Sequence, residues 1–339
     1  MGINRVELLA VLDMVRPGLA AREVAEQSTS FLLLPDMIAT FNDEVVIAHP
    51  VKLGIQGAVR GNEFRNLLAK LTDETVELAA TENELTVTGR RATAGIAFQA
   101  EISAATDVAI AQVSEQPEWK KLPADFCEAV KFCLFSAGSD MNKPALACVH
   151  LTKAFAESCD NFRLTRRDFK FNGDVLLLAK IGAVLIKYAP TKWAETDGWL
   201  HFMNAVGTRF SCRTVDATYP DLSKLIVEGG TSVELPDGLG AVIDRAAVFM
   251  DNSQGHPYVT VTLTAKALEV SARGAVGWFK EKSRIAYAGD PVTFSIVPQF
   301  LLDMLPILTS VAVCDGRLVF SGEGFVHVAT IVAVEDKKK

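Results

Sequence analysis

The stretch ALACVHLTKAFAESCDNFRL, residues 145–164, consists of an apolar run, a polar turn and a second apolar run. Paired runs of this kind are typical of a β-hairpin. Two other stretches have the same layout, SFLLLPDMIATFNDEVVIAH at 30–49 and PYVTVTLTAKALEVSARGAV at 257–276. Aligning Ile38, Phe155 and Leu268 places the copies 117 and 113 residues apart. The sequence therefore predicts one hairpin repeated three times.

A second sequence pattern recurs along the chain with nearly the same spacing. Helix-like residues followed by two strand-like runs recur at 63–98, 176–215 and 298–332, and their marker residues Leu85, Leu200 and Leu318 are 115 and 118 positions apart. A helical candidate also precedes each hairpin, at 4–15, 123–137 and 236–250. Because an apolar helical face must pack on a sheet, each repeat predicts two helices on antiparallel strands.

The length of 339 residues predicts two or three domains, and the repeats predict an α+β protein of three. The predicted domain boundaries are 1–116, 117–228 and 229–334. Residues 335–339, EDKKK, form a charged C-terminal tail that we expect to be solvated.

Composition and motifs narrow the function classes. No apolar run approaches the roughly 18 residues of a membrane span, and the N-terminus lacks a secretory signal, so we expect a cytoplasmic protein without membrane partners. The six cysteines form no CxxC pair and the five histidines have no ligand spacing, which predicts no metal and no cofactor. The best acid and base grouping, Asp160, Asp168 and Arg163, is typical of surface pairs. We therefore predict that the chain is not an enzyme.

Three stretches carry a family resemblance: CDNFRL at 159–164, TYPDLSKLI at 218–226 and DRAAVFMDNSQGHPYVTVTLTAKALEVSA at 244–272. In this order and spacing the chain resembles the bacterial DNA polymerase sliding clamp, the beta subunit of the replicative polymerase, over residues 3–334. The resemblance implies three DNA-clamp domains per protomer and a homodimer closed into a ring around double-stranded DNA. Such a ring acts as a processivity factor and performs no chemistry. Bacterial and phage origins both stay open.

The resemblance also implies which residues face DNA. Lys180 and Lys187 are seven positions apart, on nearly one helical face, and match basic positions of the family's inner helix. Sliding needs weak, sequence-independent phosphate contacts, so local placement of positive charge matters more than the net charge of -7. The resemblance places Arg22, Lys143, Lys180, Lys187 and Arg245 in the DNA-facing set, and Lys70 and Lys131 complete it on helix geometry alone.

A second implied site is a pocket that accepts a short linear peptide from a DNA polymerase or a clamp loader. The matching positions are Arg163, Leu164, Pro220, Lys224, Leu225, Thr330, Ile331 and Val332. The family's Gly-His before Arg-Leu is Asn161-Phe162 here, and the Met-Pro-Met of its last strand is absent. These departures predict a different peptide consensus. Arg166 and Arg167 match no family position, and we expect them to be exposed.

Ring closure would pair domain one of each protomer with domain three of the other, through edge strands near 93–103 and 259–273. A different function class stays open: a diverged structural or interaction protein that keeps the clamp-like fold without encircling DNA. The two readings differ in whether the chain is retained topologically on DNA.

Overall fold

The computed structural model describes residues 2–114, 117–227, 229–250 and 257–334. The described residues contain seven α-helices: α1 Arg5–Val15, α2 Gly61–Lys70, α3 Ala104–Ser114, α4 Phe126–Leu134, α5 Ala179–Leu185, α6 Leu239–Ala247 and α7 Pro298–Met304. Short 3-10 turns lie at Arg16–Gly18, Ile186–Tyr188 and Ser223–Leu225.

The same residues contain twenty-five β-strands. They are β1 Gly2–Asn4, β2 Ser30–Leu33, β3 Met37–Phe41, β4 Val45–Pro50, β5 Gly57–Arg60, β6 Thr75–Ala80, β7 Glu84–Thr88, β8 Thr93–Gln99, β9 Lys120–Lys121, β10 Cys148–Leu151, β11 Phe155–Cys159, β12 Arg163–Asp168, β13 Val175–Leu178, β14 Lys192–Thr196, β15 Trp199–Met203, β16 Arg209–Arg213, β17 Thr231–Glu234, β18 Val259–Thr264, β19 Ala267–Gly274, β20 Gly277–Arg284, β21 Val292–Ile296, β22 Ser310–Cys314, β23 Arg317–Gly322, β24 Phe325–Thr330 and β25 Val332–Ala333.

The first of two compact units comprises Met1–Cys127 and Lys180–Asp216. It contains a twelve-stranded antiparallel sheet in the order β1-β6-β7-β8-β5-β2-β3-β4-β16-β15-β14-β9. Helix α1 begins where the Asn4 side chain accepts hydrogen bonds from the N–H groups of Val6 and Glu7, an N-cap that satisfies two otherwise unpaired donors. Its buried face, Leu8, Leu12 and Val15, packs toward β3 and β4.

The second unit comprises Glu128–Ala179 and Ala217–Lys339 and contains two antiparallel sheets. One has eight strands, β13-β10-β11-β12-β24-β23-β22-β17, and the other has five, β20-β19-β18-β21-β25. The sequence VTVTLT of β18 alternates buried and half-buried side chains, as a strand with one core face should. Ile243 of α6 and Met304 of α7 are fully buried against this core.

The first two repeats are equivalent down to single hydrogen bonds. Thr40 in β3 donates its hydroxyl to the carbonyl of Val15 at the end of α1, and Ser158 in β11 donates to the carbonyl of Cys133 in the last turn of α4, both at 2.5 Å. Equivalent residues are thus 118 positions apart. The expected pairing of Ile38 with Phe155 is wrong by one residue, because buried Ile38 corresponds to buried Ala156. A slip of one residue exchanges the two faces of a strand.

Helices α1, α2, α4, α6 and α7 begin within three residues of where the sequence patterns place them. Helix α3 was not predicted, and β13 precedes α5 where the sequence pattern indicated helix alone. The predicted boundaries of the three domains stay a prediction. None of the helices in the described part of the chain combines the length and apolar character needed to cross a bilayer.

The expected edge strands need correction. Strands β18 and β19, which include 259–273, lie inside the five-stranded sheet, whose edges are β20 and β25. Strand β8 pairs with β7 from Thr93 to Ala97 and with β5 only through Phe98 and Gln99. Within the described residues, one side of the 93–97 segment therefore has no neighbouring strand.

Candidate functional site

The turn between β11 and β12 is fixed by one aspartate. An Asp160 carboxylate oxygen accepts hydrogen bonds from the backbone N–H groups of Phe162, at 2.7 Å, and Arg163, at 2.8 Å. Short acidic and amide side chains stabilise tight turns in this way because they replace backbone acceptors. The turn aims Asn161 and Phe162 outward, and 36% of Phe162 is exposed.

Arg163 follows this turn and is held on several sides. Its guanidinium pairs with Asp160 at 3.2 Å and with Asp303 of α7 at 2.6 Å. The rings of Phe300 and Phe135 lie 4.6 and 5.7 Å from its central carbon, within cation–π range. Because two carboxylates accompany one guanidinium, the charge of Arg163 is compensated inside the protein.

Leu164 is the floor of a recess on the second unit. Only 3% of it is exposed, and it packs in a cluster with Cys159, Leu222, Val319 and Val328. Above this cluster lies a cavity of about 110 Å³, which we name the Leu164 groove. Its lining residues are Cys159, Asp160, Asn161, Phe162, Arg163, Leu164, Leu225, Arg317, Val328 and Thr330.

The Leu164 groove brings together four of the predicted pocket residues: Arg163, Leu164, Leu225 and Thr330. Leu225 is 42% exposed at the end of the 3-10 turn. Thr330 ends β24, where its N–H donates to the carbonyl of Phe162. These residues come from three separate segments of the chain, as a site assembled by the fold requires.

The other predicted pocket residues do not line the Leu164 groove. Pro220 and Lys224 are exposed on the segment that carries Leu225. Ile331 is half-buried and donates its N–H to Gly316, whereas Val332 in β25 is 53% exposed. The 335–339 tail lies outside the described residues.

Sequence reasoning missed Arg317 and Val328 as lining residues. Both come from the β23–β24 hairpin, in which Arg317 stands opposite Thr330. The sequence predicts two strands in this region, but the residue that lies opposite Thr330 follows from the strand register, which the structure supplies. The three stretches that carry the resemblance do not include β23.

A second recess of about 370 Å³ lies on the other side of the same turn. It is lined by Ala137–Asp140, Lys143, Leu146, Asp160–Arg163, Val297 and Phe300. Lys143, which the resemblance places near DNA, donates a hydrogen bond to the Asn161 side chain at 3.0 Å here. Its contact with DNA stays a prediction.

Of the other predicted DNA-facing residues, four lie in the first unit and two lie in the second. In the first unit, Arg22, Lys70, Lys180 and Lys187 are exposed. Lys180 forms an ion pair with Glu44 at 2.5 Å. Helix α5 ends at Leu185 and Lys187 lies on a 3-10 turn, so these two lysines do not share one α-helical face as expected.

In the second unit, Lys131 of α4 and Arg245 of α6 are exposed. Arg245 pairs with Glu281 of β20 at 2.8 Å. Two of the seven predicted DNA-facing residues, Lys180 and Arg245, are therefore already paired with carboxylates of the same chain.

Arg166 and Arg167 are not exposed as expected. The Arg166 side chain is 18% exposed and binds Glu157 through two nitrogens, at 2.9 and 2.7 Å. Glu157 also contacts His150 at 3.1 Å, and His150 reaches Asp174 at 2.8 Å. Burial opposes the charged imidazole, but these two carboxylates raise the pKa of His150 above its ordinary value. Arg167 pairs with Glu128 on α4.

Two other histidines, His201 and His327, are buried. Burial lowers the pKa of His201 to about 4 and that of His327 to about 3, so both are neutral. His201 contacts the hydroxyls of Thr196 and Ser211. All six cysteines are free thiols. No three His, Cys, Asp or Glu side chains of the described ranges are close enough together to hold a metal ion.

Solved structures of other proteins match this chain over nearly its whole length. The DNA polymerase III subunit beta of Pseudomonas aeruginosa superposes with a TM-score of 0.83 at 14% identity, over 98% of this chain and 100% of that one. The sliding clamp of Bacillus subtilis gives 0.82 at 16%, over 98% of both chains. The beta subunit of Thermotoga maritima gives 0.79 at 17%, over 98% and 99%.

Sequence comparison gives no relative, since no protein-family model and no curated protein matches the chain. At identities of 13–17% the likeness to solved structures establishes the fold, and the resemblance expected from the sequence is confirmed at that level. The chain has the three-domain α+β fold of the DNA polymerase III beta sliding clamps.

Proposed function

We propose that the chain is a DNA sliding clamp, a cytoplasmic homodimer that closes around duplex DNA and tethers a replicative polymerase without catalysing a reaction. The observation that carries this proposal is the fold match over 98% of the chain to complete beta subunits. A match of this extent includes both units, and therefore every element from which a ring would be built.

The edges of two sheets support ring closure. Strand β20 is an edge of eight residues, and its Trp278 is 61% exposed. Long edge strands with exposed apolar side chains are a liability unless a partner covers them. Strand β8 has an open side at Thr93–Ala97. Pairing β20 of one protomer with β8 of the other would cover both edges twice in a closed dimer.

The dimer is tested by mass in solution. Light scattering should give twice 36.7 kDa for the wild-type protein. Trp278→Glu should give monomers at micromolar concentration, because a buried charge opposes strand pairing. Val206→Glu is the matched control, since Val206 is also 61% exposed but lies outside both edges. A stable wild-type monomer would contradict the ring.

DNA encirclement can be tested without a loader. The chain is incubated with linear duplex DNA whose biotinylated ends are then capped by streptavidin. A threaded ring should resist a high-salt wash only while both ends are capped, because ionic contacts alone weaken steeply with salt. Retention that does not depend on the caps would support the alternative, an interaction protein with a clamp-like fold.

The Leu164 groove is the proposed site for a short peptide of the polymerase or clamp loader. It combines a buried apolar floor with an arginine held rigidly in place, and such preformed recesses suit anchoring side chains. Leu225→Ser is the sharpest test, because Leu225 is 42% exposed and its loss should weaken peptide binding without unfolding the unit. Unchanged binding would point to another surface.

A further inference from the structure

We propose that the Leu164 groove selects a peptide with a carboxylate next to its apolar anchor, and that Arg317 is the residue that binds this carboxylate. The proposal rests on the proposed function, since it names the chemistry of the peptide that the groove accepts. Arg317 is thereby a specificity-determining residue of the groove.

The first argument is the free donor capacity of Arg317. It opens β23, is half-buried, and lines the groove opposite Thr330. One of its nitrogens donates to the carbonyl of Leu225 at 3.1 Å. A guanidinium has five N–H donors in a fixed fork. Within the described residues no carboxylate lies within 4.0 Å of Arg317, and a single backbone carbonyl accepts from its guanidinium.

The second argument is the contrast with Arg163 in the same groove. Arg163 is paired with both Asp160 and Asp303, so it contributes shape and little net charge. Asp160 is in turn occupied by two backbone N–H groups. The thiol of Cys314, beside Arg317, is neutral because burial raises its pKa. Lys224 is exposed next to Leu225, and the nearby carboxylate of Asp221 offsets its charge. Among the described residues that line the groove, Arg317 is therefore the charged side chain that has no oppositely charged partner.

The third argument is the size and polarity of the floor. Leu164 and Val328 are 3% and 4% exposed, and the cavity above them holds about 110 Å³. This is well below the roughly 300 Å³ of a small-molecule site. The recess therefore fits a single apolar side chain, with Arg317 at its edge. A guanidinium binds a carboxylate through two parallel hydrogen bonds, which adds geometric selectivity to the charge.

The test uses selection of random peptides. A displayed library of eight-residue peptides is selected on the full chain and, in parallel, on Arg317→Gln. Wild type should enrich Asp or Glu within two positions of an aliphatic or aromatic residue. The R317Q selection should retain the apolar residue and lose the acid. Arg60→Gln, which changes the net charge equally at an exposed position of the first unit, should select as wild type does.

A double-mutant cycle then measures the contact. The most enriched acidic peptide and its amide version, Asp→Asn or Glu→Gln, are titrated by fluorescence anisotropy. Either change alone should weaken binding about tenfold, the scale of a partly exposed charge-assisted contact, and the two together should weaken it little further. Arg317→Lys should recover part of the loss, because it keeps the charge and loses the fork.

The two proposals fail differently. If no selected peptide loses affinity for Leu225→Ser, the groove is not the peptide site and the proposed function loses that support. If selected peptides depend on Leu225 but show no acid enrichment and bind R317Q equally well, the groove stands and the role of Arg317 is overturned.

Discussion

The hairpin β3–β4 and the hairpin β11–β12 occupy equivalent places in two repeats, and they are covered in different ways. In the first, Ala109 and Val113 of α3 pack on Phe41 and Val46. The equivalent residues of the second, Cys159 and Leu164, lie beneath the Leu164 groove. There the 218–227 segment covers the cluster with Tyr219 and Leu222 and has only a short 3-10 turn. Replacing a helix by this segment leaves the groove open.

The same two hairpins differ in a ladder of three side chains. In the first repeat the ladder is Leu32, Ala39 and Ala48, all buried and apolar. In the second, the equivalent positions carry His150, Glu157 and Arg166, which bind one another. The ring of Tyr219 lies 4.6 Å from His150, and Arg166 reaches Ser223 at 3.5 Å. A polar ladder thus holds the segment that carries Leu225.

Breaking the polar ladder should have the largest effect. Glu157→Ala leaves Arg166 and His150 without the acid that both contact, and removing one partner of a buried pair costs about 3–5 kcal/mol. Protection of β11 and β12 against hydrogen exchange should fall accordingly. Whole-chain denaturation is less informative, because a chain of several domains need not unfold in one step.

A transplanted ladder sharpens the comparison. The triple variant His150→Leu, Glu157→Ala and Arg166→Ala gives the second repeat the residues of the first. It should recover most of the lost protection, since well-packed apolar replacements of buried ion pairs are often neutral. Peptide binding at the groove should remain weak, because Tyr219 and Ser223 lose their partners. Exchange protection as low as that of Glu157→Ala alone would show that the surrounding strands tolerate only the polar residues at these three positions.

Equivalent substitutions in the two hairpin turns should have a smaller effect on stability. The Asn42 side chain accepts N–H bonds from Glu44 and Val45, at 3.2 and 3.0 Å, as Asp160 does in its turn. Asn42→Ala and Asp160→Ala should each destabilise their hairpin by about 1–2 kcal/mol, the loss of two hydrogen bonds. Only the second should also weaken peptide binding, because it releases Arg163. Asp160→Asn keeps the acceptor and should retain most of the stability.

Unlike His49 of the first repeat, whose pKa is lowered by burial, the charged His150 should contribute stability that falls as pH rises. Since its pKa is raised in the folded state, its contribution to stability is complete below its ordinary pKa of about 6.5 and is lost as pH rises through the raised value. Exchange protection of β10 and β11, corrected for intrinsic rates, should fall from pH 6 to pH 8. His150→Gln should remove the trend. An unchanged trend in that variant would assign it to another group.

The sequence predicted the repeated fold, but it did not predict which residues of the two repeats correspond. Composition, period and the order of motifs predicted the repeated α+β fold, because each repeat presents its apolar residues at the spacing of its element. The alignment by apolar residues placed Ile38 opposite Phe155, one residue from the register that Thr40 and Ser158 define. Apolar patterns are degenerate, whereas hydroxyls that bond helix ends occupy single positions.

Helix α3 and Arg317 could not be predicted for different reasons. The signals of α3 are modest: Ser103 accepts a hydrogen bond from the N–H of Thr106, and Ala109 and Val113 lie four apart. Its β-branched residues lower its helix propensity, and packing on β4 stabilises it instead. Arg317 reaches the groove only through the pairing of β23 with β24, which is a tertiary fact.

The smallest expected effect is on DNA retention, after substitution of Glu44 in the turn of the first repeat. Glu44 pairs with Lys180, and both side chains are about half exposed, so the pair contributes well under 1 kcal/mol. Glu44→Gln should leave stability unchanged and, if Lys180 faces DNA, raise retention on uncapped linear DNA at low salt about two- to threefold, because a released cation adds up to one phosphate contact.

Asp43→Asn is the matched control for that experiment. It removes the same charge from the adjacent residue and frees Arg213, which is not in the predicted DNA-facing set. Asn also tolerates the left-handed backbone of position 43, whose φ is 73°. Retention that rises only in Glu44→Gln would assign Lys180 to the DNA path. An equal rise in both variants would reflect net charge alone and would remove Lys180 from that set.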